Sequence, residues 1–343
     1  MISVKEISVV VQGAIDKQLT PKCLESIRKY LPGAEIILST WEGSDADGLD
    51  YDELLLNRDP GGYKHDFAIY NQPRSMNNFN RQLVSTQNGV KKASRKYCLK
   101  LRSDIILKSA SFLEYWEKFE IRDSKYELFS HRVLCGSLFS RENSCQSGTG
   151  FPVPFHPSDF WFFGLIKDLE DYFRGCPRQS EKEASNWNFK YPSRLPYTTP
   201  LWRFAPEQCL CVNWVKKYYP DLQFEDWSDW SPETIELSNN ILYNNFIFLG
   251  FEQSDIYSAK YLDVEAIKNK IQGLITYRHF QEQYKNYCDK AYCIHKYTRK
   301  EVFARLYLNR KAAVLSIERQ ILGLFNKVRR LGEVFSCIFF SDK

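Results

Sequence analysis

The sequence predicts an α/β fold in which a mostly parallel β-sheet is flanked by helices. Short runs of apolar, β-branched residues have the length of buried strands and are too short for core helices. Helical patterns of about 10 to 15 residues separate several of them, which is typical of βαβ units with right-handed crossovers. Polar residues and glycines cluster after the predicted strands, where open α/β sheets bind ligands.

The clearest strands and helices are predicted in the first third of the chain. The strands are Ile7–Gln12, Glu35–Trp41, Glu53–Asn57 and Tyr97–Leu107, each followed by a polar or turn-forming segment. A helix is predicted to begin at Thr20, with the Thr20 side chain as its N-cap and Pro21 in its first turn, and to end before Pro32. A second helix is predicted from Asn77 to Ala93.

The pattern is weaker after residue 110. Strands are predicted at 127–134 and 136–139, and helices at 159–174 and 206–219. Residues 140–157 are rich in Gly, Ser and Pro and are predicted to be a loop. Residues 175–203 have little periodicity, which is typical of a lid or an insertion, and residues 233–250 combine helix and strand signals.

Length and charge indicate one main domain with a basic extension. The chain has 343 residues and a formal net charge of +5. Residues 299–333 contain nine Lys or Arg and only three Glu, so the rest of the chain is close to neutral. We expect a main domain over 1–255 and a helical, basic extension over 256–343. A near-neutral body argues against a protein that coats nucleic acid.

The extension is predicted to be an amphipathic helix. Apolar residues recur at helical spacing from Phe303 to Leu331, with Lys and Arg among them. Such a helix can lie on an anionic membrane surface, and the alternatives are packing on the body or a seam between two copies.

The N-terminus lacks the pattern of a secretory signal, and the ten cysteines are scattered as reduced thiols are. We therefore expect a cytoplasmic protein that contacts a membrane peripherally.

Polar residues at the strand ends are the first candidates for a ligand site. They are Gln12, Gly13, Glu42, Asp59, Lys100, Arg102 and Asp104. The carboxyl ends of parallel strands meet at one edge, so we expect these residues to lie around a common opening. Amides and carboxylates can bind a nucleoside, and glycine lets a ligand approach the backbone. The alternative is that the strand ends are simply polar.

The triplet Arg102-Ser103-Asp104 bears on how this opening would neutralise the diphosphate of a bound nucleotide sugar. A strand that ends in Asp-x-Asp is the usual arrangement for binding Mn²⁺ or Mg²⁺ in a nucleotide-sugar site, and here Arg102 replaces the first Asp. Asp104 alone would bind the divalent cation weakly, or Arg102 would supply the positive charge itself. A third interpretation is a structural ion pair between the two side chains.

Further candidates lie at predicted helix starts. Asn80 and Arg81 open the second helix, where amide and guanidinium donors suit a phosphate, although surface solubility would also explain them. Asp159 could bind sugar hydroxyls while Trp161 stacks on the sugar, or Asp159 could only cap a helix. Glu207 is suited to act as the general base for an acceptor hydroxyl, although the helix dipole alone favours a carboxylate there. Asp159 and Glu207 are the predicted catalytic residues.

Six segments together resemble a known family. They are ISVVVQG (7–13), LESIRK (24–29), LPGAEIILSTWEG (31–43), LNRDPGG (56–62), NNFNRQ (77–82) and LKLRSD (99–104). Over about residues 5–250 the chain resembles the WavE-type lipopolysaccharide-synthesis family, whose members are similar to GT-A glycosyltransferases. The resemblance implies a GT-A-like fold, a nucleotide-sugar donor and a glycan or lipid-linked glycan acceptor. It also implies a role in bacterial lipopolysaccharide or capsule assembly at the inner membrane.

The resemblance also implies positions for individual residues. Gln12, Glu42 and Asp59 would lie near the nucleotide, Asp104 at the diphosphate or metal, and Glu207 would be the candidate base. The missing first Asp of Asp-x-Asp leaves metal dependence open. The alternative function is a non-catalytic scaffold that binds a nucleotide or glycan without releasing nucleoside diphosphate. A phosphotransferase built on the same sheet is a third possibility.

Overall fold

The computed structural model describes residues 2–64, 76–143, 152–184, 203–227, 229–258 and 273–294. The strands are β1 (Ile7–Gln12), β2 (Glu35–Trp41), β3 (Glu53–Asn57), β4 (Tyr63–Lys64), β5 (Met76–Asn77), β6 (Tyr97–Arg102), β7 (Ile105–Leu107), β8 (Val133–Gly136), β9 (Arg141–Asn143), β10 (Pro152–His156), β11 (Trp161–Leu165), β12 (Phe246–Leu249) and β13 (Ile256–Ser258). The helices are α1 (Leu19–Tyr30), α2 (Phe79–Lys92), α3 (Ile166–Arg174), α4 (Glu181–Ala184), α5 (Pro206–Tyr218), α6 (Pro232–Asn245), α7 (Phe251–Ser254) and α8 (Tyr277–Tyr287).

A seven-stranded, mostly parallel sheet forms the centre of the molecule. Its strand order is β12-β8-β11-β6-β1-β2-β3. Parallel pairs join β1 to β2 and β6, β2 to β3, and β8 to β12, whereas β11 runs antiparallel to both of its neighbours. Helices pack against this sheet, so the predicted α/β fold of GT-A-like architecture is confirmed.

The first half of the sheet agrees closely with the sequence prediction. β1, β2 and β3 have the predicted bounds, and α1 ends before Pro32. The predicted Thr20 cap is wrong, because α1 begins at Leu19 and the Asp16 carboxylate accepts the backbone N–H groups of its first turn at 2.8 Å. The Thr20 hydroxyl instead accepts the Asp16 backbone N–H at 2.9 Å.

A turn divides the strand predicted over 97–107 into β6 and β7. The Ser103 backbone N–H donates to the Gln12 carbonyl at 3.0 Å, and the Ser103 hydroxyl donates to the Ala14 carbonyl at 2.6 Å. These bonds hold Ser103 against the end of β1. β7 leaves the central sheet and pairs with β13. The turn therefore sets Arg102 and Asp104 at the carboxyl edge.

The middle of the chain corrects two predictions. Residues 140–157 are not only a loop, because β9 and β10 lie within them and pair with each other. Residues 159–174 are not one helix, because the aromatic segment Trp161–Leu165 forms β11 and only Ile166–Arg174 is helical. Aromatic residues fit a strand buried between two others, and an apolar run of this length does not distinguish helix from strand.

Close helix–sheet packing and the C-terminal elements complete the described core. A Cβ at Gly89 of α2 would lie 2.3 Å from Val10, so glycine permits α2 to approach β1. Phe280 and Tyr284 of α8 are buried with the main core.

The boundary at 255/256 stays a prediction, and residues 295–343 of the basic extension lie outside the described residues. The eight described cysteines are free thiols. None of the described helices combines the length and the hydropathy that crossing a bilayer requires.

Candidate functional site

The ends of β1 and β6 lie beside the turn that precedes β11, and we call the region bounded by Arg102, Asp104, Asp159 and Glu207 the cleft. Gly13 follows β1 with a φ of +118°, a left-handed conformation that favours glycine, and lets the chain turn away at the edge. At the end of β6, the Arg102 guanidinium lies 4.4 Å from the centre of the Phe160 ring. The C-terminal edge therefore brings the predicted Arg102 and Asp104 next to the turn that carries Asp159.

Arg102 and Asp104 form a two-point ion pair. Arg102 Nε donates to Asp104 Oδ1 at 3.0 Å, and its terminal nitrogen donates to Oδ2 at 2.7 Å. The Arg102 side chain is 28% exposed and that of Asp104 is 16% exposed, so the pair lines the cleft without being sealed from it. The ion-pair interpretation of this triplet therefore describes the geometry.

The donor set around Asp104 does not fit a bound metal ion. Both of its oxygens accept hydrogen bonds from Arg102, which stands where Asp-x-Asp has its first carboxylate. Within the described ranges, no group of three or more His, Cys, Asp or Glu side chains is placed to hold a metal. Mg²⁺ takes six oxygen ligands and is usually bound through one or two carboxylates together with water and substrate phosphates. The predicted divalent cation thus stays a prediction without a described ligand set.

The backbone of Asp159 is held firmly, while one of its carboxylate oxygens lacks a partner. The Lys100 ammonium donates to the Asp159 carbonyl, and the Ser158 backbone N–H donates to the Ser140 hydroxyl at 2.8 Å. Asp159 Oδ2 accepts from the Gln82 side-chain amide at 2.5 Å. Asp159 Oδ1 is buried and has no hydrogen-bond partner among the described residues. An unpaired buried acceptor costs about 1–3 kcal/mol, so a hydrogen-bond donor brought to this oxygen would be stabilising.

Glu207 faces the same cleft from the first turn of α5. The Gln208 side-chain amide donates to the Pro154 carbonyl at 2.9 Å and fixes this helix start against β10. Burial raises the pKa of Glu207 above its usual range, and the nearby negative charge of Asp159 adds to this effect. The positive charges of Arg141 and Arg102 act in the opposite direction. The two predicted catalytic carboxylates are therefore close enough to influence each other's charge.

Arg141 and two phenylalanines belong to the cleft and were not predicted from the sequence. The Arg141 guanidinium lies 5.4 Å from the Phe139 ring centre, and the Phe139 and Phe160 rings meet edge to face at 5.4 Å. Phe139 adopts a φ of +66°, which is uncommon for a bulky residue and often marks a functional site. A signal was present in the sequence, because Arg141 follows an apolar strand much as Arg102 ends one.

Lys100 and Trp161 differ from the sequence interpretation. The Lys100 side chain is fully buried, and burial lowers its pKa to about 8. It lies beneath the cleft and supports Asp159, so its predicted contact with a donor stays untested. Trp161 cannot be a sugar shelf, because its indole is buried in the core against Phe112, with ring centres 6.2 Å apart.

Most of the other predicted donor-binding residues either belong to α2 or form hydrogen bonds with side chains of α2. The Ser85 hydroxyl donates to the side chain of the buried Gln12 at 2.8 Å. Asn80 is buried and exchanges two hydrogen bonds with the Gln179 backbone at 2.7 and 2.9 Å. Arg81 forms a two-point pair with Asp59 at 2.8 and 2.7 Å. Glu42 is exposed just beyond β2. Their roles in donor binding stay predictions.

A cavity adjoins the cleft on the Arg141 side. Its volume is about 90 Å³, and it lies between β9, β10 and α6. Arg141 and Glu142 contribute charge to its wall, and Pro154 and Ile235 contribute apolar surface. Arg141 lines this cavity, and its positive charge also acts to lower the pKa of Glu207.

Comparison with known proteins identifies the family. No curated protein matches this chain significantly. The family described as WavE lipopolysaccharide synthesis matches residues 7–316, a span that contains all seven strands of the sheet and both carboxylates of the cleft. The chain therefore belongs to the WavE lipopolysaccharide synthesis family.

Proposed function

We propose that this protein is a glycosyltransferase that moves a sugar from a nucleotide-sugar donor to a lipopolysaccharide or capsular polysaccharide acceptor. Family membership and the α/β sheet support a role in lipopolysaccharide synthesis. The observation that carries the proposal is the meeting of Asp159, Glu207 and Arg102 in one cleft at the carboxyl edge. These groups are what transfer from a diphosphate needs: a base, a hydroxyl-binding carboxylate and a positive charge.

Glu207 is the proposed general base. In the reaction, the acceptor hydroxyl gives its proton to the Glu207 carboxylate while its oxygen bonds to the anomeric carbon of the donor. The bond between that carbon and the diphosphate oxygen breaks, and its electron pair leaves with the nucleoside diphosphate. A raised pKa suits this role, because a carboxylate with a pKa nearer to the working pH is the stronger base.

Asp159 is the proposed hydroxyl-binding partner. Its unpaired Oδ1 can accept a hydrogen bond from a hydroxyl of the sugar or acceptor, and the Lys100 contact holds it in position. Burial raises the pKa of Glu207, and the negative charge of Asp159 adds to this effect. The nucleoside would lie beyond β1 and β2, near Gly13 and Glu42.

Donor binding and product release test this proposal together. Nucleoside-diphosphate sugars are screened by thermal shift, with and without Mn²⁺, because a ligand of the folded state raises the melting temperature. The stabilising donor is then incubated with lipopolysaccharide acceptor, and release of nucleoside diphosphate is measured. We expect release from the wild type, and binding without release from Glu207→Gln. Binding with no release from the wild type would favour the scaffold, and a phosphorylated acceptor would favour a phosphotransferase.

Membrane contact is a separate part of the proposal. The basic sequence over 299–333 would bring the enzyme to lipid-linked acceptors at the inner-membrane surface. Sedimentation with vesicles containing anionic lipid, compared between the full chain and a chain ending at residue 294, tests it. Equal binding of both chains would contradict the assignment.

A further inference from the structure

The cavity between β9, β10 and α6 has a wall that combines aliphatic surface with a few fixed polar groups. Its volume of about 90 Å³ has room for about six to nine water-sized groups, which fits one monosaccharide ring and is too small for a nucleotide sugar. Pro152, Pro154, Ile235 and Leu242 supply the aliphatic surface. A mostly apolar wall with a few placed polar groups suits a ligand that has both carbon faces and hydroxyls.

Glu142 is the one acidic residue in the described part of this wall, and two side chains hold its carboxylate in place. The Tyr243 hydroxyl donates to Oε1, and His279 Nε2 donates to Oε2 at 2.6 Å. Tyr243 is fully buried and the Glu142 side chain is only 15% exposed, so the carboxylate has a fixed position. A carboxylate offers about four acceptor positions, and these two bonds occupy two of them. The others can accept hydroxyl groups of a ligand.

Helix α6 adds a second acceptor and joins the two sides of the cavity. The Asn239 side-chain nitrogen donates to the Tyr287 hydroxyl at 3.1 Å, and no described residue donates to the Asn239 amide oxygen. The buried Ser238 hydroxyl accepts the Phe155 backbone N–H at 2.7 Å, which connects α6 to β10. The wall is therefore held in one arrangement before a ligand binds, which lowers the entropic cost of binding.

Strand β10 connects this wall to the proposed base. The pairing of β9 with β10 changes register within β10, and Phe155 in this strand has a φ of +55°. A positive φ is strained for a bulky residue and often marks a functional site. The Gln208 side-chain amide donates to the Pro154 carbonyl at 2.9 Å, so the residue that follows Glu207 is hydrogen-bonded to the cavity wall.

We propose that this cavity binds one sugar unit of the acceptor glycan, with Glu142 and Asn239 as the groups that accept its hydroxyls. The inference rests on the proposed function, since it places the acceptor of that reaction. The acceptor is favoured over the donor because the Glu142 carboxylate repels a diphosphate and because the volume holds only one ring. A sugar unit held here lies next to the start of α5, where Glu207 takes the acceptor proton in the proposed reaction.

Methyl glycosides are the probes, because they carry the ring and hydroxyls of an acceptor without a nucleotide. The methyl pyranosides of glucose, galactose, mannose and N-acetylglucosamine are titrated into the full chain and followed by saturation-transfer NMR, and at least one is expected to bind. Ile235→Phe fills the cavity and Glu142→Gln removes the charged acceptor, so each should weaken binding of that glycoside by about tenfold or more. Asn239→Ala removes a neutral acceptor and should weaken it by about threefold.

Glu236→Gln is the matched control for Glu142→Gln. Glu236 also accepts a tyrosine hydroxyl, from Tyr287 at 3.3 Å, but it is exposed on α6 and does not line the cavity. Its removal changes the net charge equally and should leave the glycoside affinity unchanged. Melting temperatures show whether the variants fold, and if Glu142→Gln does not, Ile235→Phe and Asn239→Ala carry the test.

The outcomes separate this inference from the proposed function. If no glycoside binds the wild type, or if binding survives both Ile235→Phe and Glu142→Gln, the cavity is not the acceptor site, even where sugar transfer is observed. Displacement of the glycoside by uridine or guanosine diphosphate would place a nucleotide in the cavity and also overturn the inference. An equal loss in Glu236→Gln would reduce the effect of Glu142 to net charge, with the same consequence. Cavity-dependent binding without release of nucleoside diphosphate supports the glycan site, and only the glycosyltransferase assignment then fails.

Discussion

Two arginine–aspartate pairs stand at the carboxyl edge of the sheet and have almost the same geometry. Arg81 binds Asp59 at 2.8 and 2.7 Å, and Arg102 binds Asp104 at 3.0 and 2.7 Å. Their surroundings differ. Asp59 is 45% exposed and also accepts the Gly61 backbone N–H, whereas Asp104 is only 16% exposed and its arginine stacks on Phe160.

We infer from the comparison that neighbouring groups, and not the pair itself, distinguish a structural ion pair from one proposed to meet a ligand. Arg81 joins the first turn of α2 to the loop after β3, as a structural link does. Arg102 stands beside the two carboxylates of the cleft and alters the pKa of one of them. An exposed pair contributes little beyond local order, whereas a guanidinium in a cleft can meet a charged ligand.

The largest effect is expected on the cleft side of this comparison, at Glu207. Glu207→Gln removes the proposed base and should lower sugar transfer by about 10²- to 10⁴-fold, the range typical of general-base catalysis. Donor binding should persist, because Glu207 acts on the acceptor hydroxyl. Steady-state assays with thermal-shift controls measure both. Transfer within about threefold of the wild type would remove Glu207 from the mechanism.

Glu207→Gln should also change how the stability of the folded protein depends on pH, which a variant outside the cleft should not do. The folded-state pKa of Glu207 is raised, so between its unfolded pKa near 4.5 and its folded pKa the native state binds more protons than the unfolded state. This term makes the wild type less stable as the pH rises through that window. Glu207→Gln should therefore raise the melting temperature by about 1–3 °C at pH 8 and have little effect at pH 4.5. A shift of equal size at both values would indicate a packing effect.

Replacing the arginine of each pair by glutamine compares the two pairs directly. Arg102→Gln should lower kcat/KM for the donor by about 100-fold, since it removes a charge-assisted contact to the diphosphate. Arg81→Gln removes the same chemical group from an exposed pair and should lower it by less than about threefold. Both variants are assayed side by side at saturating acceptor. Equal losses would mean that both pairs bind the donor and that the comparison fails.

The sequence predicted the regular half of this site better than the irregular half. β1, β2 and β3 are continuous apolar runs with clear stops, so their ends and the polar residues beyond them could be located. Asp159 and Glu207 were identified by residue type, but their proximity depends on β11, an aromatic segment whose length fits a helix as well as a strand. Arg141 was missed because β9 and β10 lie in a segment rich in Gly, Ser and Pro, a composition that predicts a loop and hides the pairing of the two strands.

A substitution at Lys100 is expected to reduce sugar transfer by less than one at Arg102, because Lys100 acts through Asp159. Lys100→Met removes the bond to the Asp159 carbonyl and should lower transfer by about tenfold. Burial lowers the pKa of Lys100 to about 8, so between pH 8 and its unfolded value near 10.4 the unfolded state binds more protons. Wild-type stability should rise across that window, and the variant should lose the rise.

Melting temperatures at pH 7 and pH 9 separate this positioning role of Lys100 from a purely structural one. Lys92→Met is the matched control, because Lys92 is 48% exposed in a pair with Glu53 at 3.5 Å. It should change neither transfer nor the pH dependence. Normal transfer by Lys100→Met would show that Asp159 keeps its position without the buried amine.

The smallest effect is expected at Asp59, on the structural side of the comparison. Arg81 holds the pKa of Asp59 below its usual range, so the pair stabilises the fold fully above an unfolded pKa near 3.9 and loses this contribution as the pH falls through the folded value. Because Asp59 is 45% exposed, Asp59→Asn should cost only about 0.5 kcal/mol at pH 7. Urea unfolding at pH 7 measures it. A loss of sugar transfer larger than this stability change explains would place Asp59 at the nucleotide and make the two pairs functionally alike.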